Sequence, residues 1–553
     1  MTAAPRQNPL PRLLQWVLGS AFALGALGAH ATTYDVIVYG GTSSGVIAAV
    51  QAAQMGKKTL LIEPGDHLGG MTASGLGLTD IGDPTTVGGL ARTFYTAIDA
   101  YYHPLRHSSR SGELVYSTSL GTEELAAPMQ WTFEPHVAEN LFLAMLSRSG
   151  AVCVRQEKLD RVQGVRMINR RILSLRMESG HVYAGRMFID ATYEGDLMAA
   201  SGVHYRVGRE SVEEFDELLA GIFPDTSLTG EVDPYVVPGA PSSGLLPGLV
   251  AGSPGPSGAG DTRVQQYNLR LCLTNSPTLR VAVDRPSNYD PTLYELLARY
   301  LQNNPDLILG NDIIKFGALP NGKVDGNGTG SFSTDMISDY SEEWVGASYA
   351  RRAEIFQIYQ DYTQGLLWFL ANDARVPAAI RAQASTWGLA GDEFNDNGHW
   401  PWQLYVRESR RMIGNYIITE HDAEGETTAP DPIALASYGM DSHKVTLFVD
   451  ATGLLQTEGY FFGAVSPYPI SYRAITPHAA ECTNLLVSVC LSATHVAFNS
   501  IRMEPVYMML GQAAGTAAGL ALEEGVGVQK VDYPSLAARL LADGQLLVPQ
   551  TSD

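Results

Sequence analysis

From Tyr34 the chain enters an apolar run ending at Tyr39, the pattern of a parallel strand buried on both faces. Val46, Ile47, Ala49, Val50 and Ala53 then recur at helical spacing, and a second apolar run ends in Glu63. This spacing predicts strand, glycine-rich turn, helix and strand over residues 34–63, the crossover unit of a nucleotide-binding α/β fold. Further along, residues 186–192 read as a strand running into a turn of small residues. Residues 484–489 read as a buried strand, and 505–522 as an Ala- and Gly-rich helix suited to tight packing on the sheet. Helical spacing also covers 341–374, and 533–547 read as an amphipathic helix. Residues 237–260 and 310–333 are rich in turn residues and are expected as loops, the first a candidate lid.

The turn after the first strand reads Gly40-Gly41-Thr42-Ser43-Ser44-Gly45. Gly40 permits a sharp turn and Gly45 lets the helix approach the strand, so the unpaired N–H groups opening the helix face a diphosphate with a favourable dipole. Glu63, roughly 20 residues on, is placed to accept hydrogen bonds from the adenosine ribose. Thr42 stands where G-x-G-x-x-G has its middle glycine; its Cβ takes space, and its hydroxyl is available to a phosphate oxygen. The same residues also fit G-x-S-x-G, which makes Ser43 the nucleophile of an alternative serine hydrolase. That arrangement needs an earlier strand and loop for its oxyanion hole, and little precedes Tyr34 except a leader. Gly69 and Gly70, followed by Met71, bring backbone close to a bulky ligand just past the acid-tipped strand, which favours FAD over NAD.

Residues 1–31 read as a signal peptide: Arg6 and Arg12, an apolar stretch over 13–27, then Ala29-His30-Ala31. Export to the periplasm or medium is expected, with no membrane span left after cleavage. The 37 basic and 58 acidic residues give a net charge of −21, which disfavours nucleic acid as a partner. Cys153, Cys272, Cys482 and Cys490 are scattered, which argues against zinc and iron–sulfur sites; Cys482 and Cys490 read either as a pair or as two buried thiols. His103 and His107 have i, i+4 spacing, but Pro104 breaks the helix a metal would need, and no metal is predicted.

Several longer segments carry a resemblance: FIDATYEGDL at 188–197, ALPNGK at 318–323, LYVRESRRM at 404–412, CLSATH at 490–495 and IRMEP at 501–505. On these the chain resembles secreted FAD-dependent oxidoreductases with a glutathione-reductase-type FAD fold. That group is often labelled xanthan lyase-like and is distantly similar to the flavin subunit of heterodisulfide reductase, whose iron–sulfur ligands are absent here. The resemblance implies bound FAD and an α/β, Rossmann-like FAD domain that is discontinuous (33–90, 131–209 and 468–525). An α+β substrate domain (91–130 and 210–467) is inserted, and 526–553 form a C-terminal helix and tail. It makes Asp190, Ala191, Thr192 and Gly195 neighbours of FAD, with Tyr193 in place of the usual glycine, and puts Ala451-Thr452-Gly453 in a hairpin of the substrate domain. In such folds the last helix aims its N-terminus at the flavin pyrimidine, so Ile501, Arg502 and Met503 are expected there, Arg502 adding a full charge.

His495 is the candidate general base, with a hydrogen-bonded structural histidine as the competing reading. Arg407, with Arg410 and Arg411, is a candidate clamp for a polar substrate, unless Glu408 merely pairs with Arg411 or Arg407 on one helix. Arg270 and Arg473 are further pocket candidates, and His67 is a candidate for covalent flavin attachment. The expected activity is a dehydrogenase or oxidase moving hydride from a small polar metabolite to flavin N5, with an unspecified electron acceptor. A flavin-binding protein without redox chemistry is the remaining alternative.

Overall fold

The computed structural model describes residues 33–104, 128–225, 228 and 232–549; the leader and His107 lie outside them. The crossover forms as its pattern requires: β1 (Thr33–Tyr39), α1 (Ser43–Gln54) and β2 (Thr59–Ile62). After α2 (Gly89–Tyr102) and α3 (Pro135–Ser149) come β3 (Val152–Val154), a hairpin of β4 (Val165–Ile168) with β5 (Arg171–Arg176), and β6 (Val182–Asp190). β3, β2, β1 and β6 lie side by side in parallel. The strand Leu485–Val487 continues the parallel set along the end of β6, while β5 runs antiparallel along its beginning. Nucleotide sites in sheets of this kind lie beyond the C-terminal strand ends, here Tyr39, Ile62 and Asp190.

Small residues decide how closely the covering helices approach. A Cβ on Gly45 would lie 1.8 Å from the Gly40 carbonyl oxygen, so only glycine lets α1 sit this low against the turn. The Ala- and Gly-rich helix Glu504–Glu524 packs across α1 as well as on the sheet. Added Cβ atoms on Gly511 and Gly515 would meet the carbonyl oxygens of Ser44 at 2.2 Å and Ala48 at 2.6 Å. α2 was expected to leave with the inserted segment from residue 91. It packs here instead, with the Leu90 amide donating to Gln512 at 2.7 Å and Phe94 stacked on Phe142 of α3. Its buried face, Leu90, Ala91, Phe94, Tyr95 and Ile98, requires that cover.

The intervening chain builds a five-stranded antiparallel sheet ordered Arg280–Val281, Gly388–Ala390, Leu271–Thr274, Lys323–Gly328 and Ile314–Leu319. The last two form a hairpin inside the stretch expected as loop; glycines at 317, 326 and 328 disguise its alternation. Residues 341–374 are helical, as Tyr340–Gly346 and Tyr349–Asn372. Leu249–Ala251, within the expected loop over 237–260, pairs in parallel with Thr446–Val449, and Ala451-Thr452-Gly453 is the turn of the hairpin that follows. One buried core runs from β1 and α1 through Tyr267 and Leu269 to Ile355, so the inserted segment shares apolar contacts with the nucleotide-binding sheet. Among the described residues no helix is long and apolar enough to cross a membrane.

Candidate active site

A cleft of about 320 Å³ opens at the C-terminal ends of β1, β2 and β6, at the lower end of the size range of small-molecule sites. Of the expected cofactor residues, Gly40, Gly41, Thr42, Glu63, Gly70 and Thr192 line it. Ser43, Ser44, Gly45, Gly69, Met71, Asp190, Ala191 and Gly195 lie behind this lining and shape it.

The turn is built for close approach of a ligand's backbone-bound groups. Gly40 has φ +102°, and a Cβ there would meet Ala191 and Thr192 at 2.8 Å. The Thr42 hydroxyl, expected to face a phosphate, instead donates to the Ala191 carbonyl at 2.7 Å and accepts from the Gly45 amide at 3.2 Å, capping α1. Ser44 donates to Ser488 at 2.8 Å. Ser43 is fully buried and donates to Glu504 at 2.5 Å, so it has neither the exposure nor the histidine that a hydrolase nucleophile needs. The hydrolase reading is thereby overturned, and the main-chain amides that open α1 are the groups that would face a diphosphate.

Glu63 accepts from the Gly41 amide at 2.6 Å and the Gly65 amide at 2.5 Å. Each oxygen keeps a lone pair for a ribose hydroxyl. Burial raises its pKa to about 7, against the lowering effect of those two amides. Asp190 turns inward, accepting from the Thr192 amide and hydroxyl and the Met198 amide, and burial lifts its pKa to about 6. These bonds fix the shape of the turn that follows β6. Gly195, at φ +67°, begins the short helix Asp196–Ala200 against Cys490. The donor set of glycines, free helix amides and an acid at the second strand fits the adenosine diphosphate portion of FAD.

The opposite wall comes from residues that sequence spacing gave no means of placing. Helix Tyr349–Asn372 contributes Tyr349, Arg352 and Phe356, and Trp344 precedes it. Tyr349 and Tyr39 share a hydroxyl contact of 2.9 Å. Asp196 holds this wall in place. It accepts from Arg352 at 2.6 and 3.1 Å, Arg410 at 2.9 Å and Arg161 at 3.1 Å. Burial pushes its pKa up, yet Arg352, Arg161 and Arg410 outweigh that and hold it below the ordinary carboxylate value.

At the other end, His67 stacks on Trp402 with ring centroids 3.5 Å apart. Its Nδ1 meets Glu139 at 3.0 Å and its Nε2 meets Asp396 at 2.9 Å. Both ring nitrogens are engaged, which is incompatible with a covalent flavin link unless one contact breaks. Burial lowers the His67 pKa, but the two carboxylates together raise it above its ordinary value.

The three side chains expected to act in catalysis lie outside this lining. His495 is 1% exposed; its Nδ1 meets Glu408 at 2.7 Å and its Nε2 lies 3.4 Å from Ser442. Arg407 pairs with Asp335 at 2.9 Å, and Glu408 pairs with Arg411 at 2.9 Å, although residues 403–410 are not helical. Arg502 lies between helices His495–Ile501 and Glu504–Glu524, donating to Tyr405 at 2.8 Å, Asn499 at 3.1 Å and the Asp441 carbonyl at 2.7 Å. Arg407, Arg270 and Arg502 surround the Tyr405 ring. Ile501 is buried, and Met503 lines a small indentation beside Asp80 and Tyr438. Arg270 pairs with Asp325 at 2.5 Å, and Arg473 with Asp431 at 3.1 Å.

All four cysteines are free thiols, Cys482 and Cys490 both buried, which overturns the disulfide option. Glu134, His136 and Glu393 cluster with ligand geometry, but the Lys323 ammonium sits between Glu134 and Glu393 at 2.7 Å from each and supplies the positive charge. A second cavity of about 320 Å³ lies beside Trp368 and Trp387 at the far end of helix Tyr349–Asn372, away from every expected site residue.

The comparisons with known proteins bear on this geometry. The sequence pattern of a family described as FAD dependent oxidoreductase matches residues 35–540. No curated protein matches. Similar solved structures include OxyS anhydrotetracycline hydroxylase from Streptomyces rimosus, with 12% identity, 32% of this chain and 36% of that chain covered, and a TM-score of 0.21. L-amino acid deaminase from Proteus vulgaris has 16% identity over 34% of this chain and 55% of that one, with a TM-score of 0.22. A point mutant of halogenase PltM in complex with FAD has 14% identity over 32% of this chain and 39% of that one, with a TM-score of 0.21. The aligned regions therefore span only 36% to 55% of those three chains, and TM-scores this low add nothing to the family assignment. Through the match over 35–540, and with a cleft whose donor set suits its cofactor, the chain belongs to the FAD dependent oxidoreductase family and is an FAD-dependent enzyme.

Proposed function

We propose that this enzyme is a dehydrogenase or oxidase that takes hydride from a small polar metabolite onto flavin N5. The observation that carries the reading is the continuity of the cleft. It runs from the glycine turn and Glu63 past Gly70 to Ala73, Ser74, Trp402 and Gln403, a mixed polar and aromatic wall suited to a small polar molecule. Bound FAD supplies a two-electron acceptor. The amides opening α1 hold its diphosphate, Glu63 its ribose, and Gly70 leaves room for its bulk. Arg502, fixed by Tyr405, Asn499 and the Asp441 carbonyl, is proposed to place positive charge at the pyrimidine end. His495 and Arg407 are proposed to serve from behind the wall, by holding Glu408 and Asp335. In the reaction a substrate C–H bond breaks and its electron pair leaves with the hydrogen, while a proton passes to a base or to solvent.

The test is anaerobic mixing of the yellow holoenzyme with amines, sugars, hydroxy acids and aldehydes. Loss of visible absorbance with one class supports the proposal. A protein that converts a ligand without any bleaching would instead be a flavin-binding protein without redox chemistry. Export is part of the proposal: N-terminal sequencing of protein from the native compartment should begin at Thr32, and an intact Met1 in mature material would refute it.

A further inference from the structure

Glu504 is the first residue of the Ala- and Gly-rich helix Glu504–Glu524 and is 5% exposed. Its Oε2 accepts from the Ser43 hydroxyl at 2.5 Å and the Thr72 hydroxyl at 2.7 Å, and its Oε1 accepts from the Tyr193 hydroxyl at 2.7 Å. The Tyr193 hydroxyl in turn accepts from the Met71 amide at 2.9 Å. Among the described residues Glu504 forms no ion pair; three hydroxyls, the Thr72 amide and the N-terminal end of its own helix face its carboxyl group.

The origins of these donors are informative. Ser43 is the first residue of α1, whose amides form the anion site. Thr72 ends the turn containing Gly70, and Tyr193 lies in the turn after β6. Gly40–Thr42, Gly70 and Thr192–Glu194 are three separate stretches of the cleft lining, and one carboxylate ties the backbone behind all three to helix Glu504–Glu524. The tie is tight at Gly70, where a Cβ would lie 2.4 Å from the Tyr193 hydroxyl. A buried acid bonded by three hydroxyls and the Thr72 amide, with no cation paired to it, is costly to keep unless the segments it joins need fixing relative to one another.

We propose that Glu504 is a positioning residue for FAD: it holds the diphosphate turn, the Gly70 turn and the turn after β6 in the mutual arrangement that the cofactor requires. The inference rests on FAD as the cofactor and not on which metabolite reduces it. Ser43, which resembles a nucleophile in sequence, and Tyr193, which replaces a glycine, acquire a single explanation as two of the three anchors of this carboxylate.

The experiment measures the FAD dissociation constant of deflavinated protein by quenching of flavin fluorescence, alongside the melting temperature of the apoprotein and the visible circular dichroism of bound flavin. Glu504→Ala should weaken FAD binding at least tenfold. Glu504→Gln, which keeps one oxygen acceptor, should recover most of that loss. Tyr193→Phe removes a single donor without opening a cavity and should weaken binding about threefold, with a changed dichroism spectrum, so it serves if Glu504→Ala does not fold. Ser43→Ala combined with Glu504→Gln should cost less than the two changes summed, because they break one contact. FAD binding within twofold of wild type in Glu504→Ala, or in Tyr193→Phe with an unchanged dichroism spectrum, would overturn the proposal. So would a fall in apoprotein melting temperature with unchanged FAD affinity, which marks a residue that only supports the fold.

Discussion

Replacing Asp196 by Asn tests how the wall from Trp344 to Phe356 is held over the cleft at the ends of β1, β2 and β6. The carboxylate, 3% exposed, receives four hydrogen bonds from three guanidinium groups, with Arg352 donating two. The same arginines also donate to carbonyls of the incoming chain: Arg352 to Trp344 and Val345, Arg410 to Val345, and Arg161 to Ala347. Asn keeps the shape but removes the charge, leaving two buried cations and the half-buried Arg161 to repel one another, and its NH2 group would point at one of them. Loss of one partner from a buried ion pair typically costs about 3–5 kcal/mol, and the carbonyl contacts that remain keep the estimate from rising further. The assay is urea unfolding followed by tryptophan fluorescence, which includes Trp344 beside the cleft, together with FAD titration. The folded pKa of Asp196 is depressed, so its contribution is complete above the ordinary value of about 4 and is lost as pH falls through the lower folded value. The deficit of Asp196→Asn should therefore be full at pH 7 and narrow below about pH 4. A variant that unfolds within about 1 kcal/mol of wild type at pH 7 and binds FAD normally would refute the view that Asp196 docks this wall.

Three further outcomes follow from the same contacts. Gly45→Ala forces a Cβ to within 1.8 Å of a backbone oxygen, a clash no rotamer relieves; the variant should purify without FAD, and a stoichiometric yellow protein would refute the close-packing argument. Glu63 has a folded pKa near 7, so the apoprotein binds an extra proton there and loses stability as pH rises toward that value; thermal melts of Glu63→Gln should show a flatter decline than wild type between pH 5 and 8, and parallel profiles would contradict it. His495→Gln removes the ring bonded to buried Glu408 and should cost about 1–3 kcal/mol in chemical unfolding, with modest change in the flavin reduction rate. A rate lower by about a hundredfold at unchanged stability would instead assign His495 to the chemistry.

The crossover at the start of the described chain was legible from residue order alone. Strand burial, helix period, Gly40, Gly45 and Glu63 act over short chain distances, so spacing alone encodes them, and the final Ala- and Gly-rich helix announced its close packing in the same way. What each polar side chain faces was decided only by the tertiary structure. Thr42 caps its own helix, Ser43 reaches Glu504 across 461 positions, and Asp196 gathers arginines from 35, 156 and 214 positions away. The hairpin Ile314–Gly328 and the wall from Trp344 to Phe356 were similarly unplaced, the first because glycines blur strand alternation and the second because nothing local says which cleft a helix end will cover. Local sterics and periodicity are properties of neighbouring residues. The partners of a buried charge are chosen by desolvation, which becomes a constraint only after distant segments have packed together.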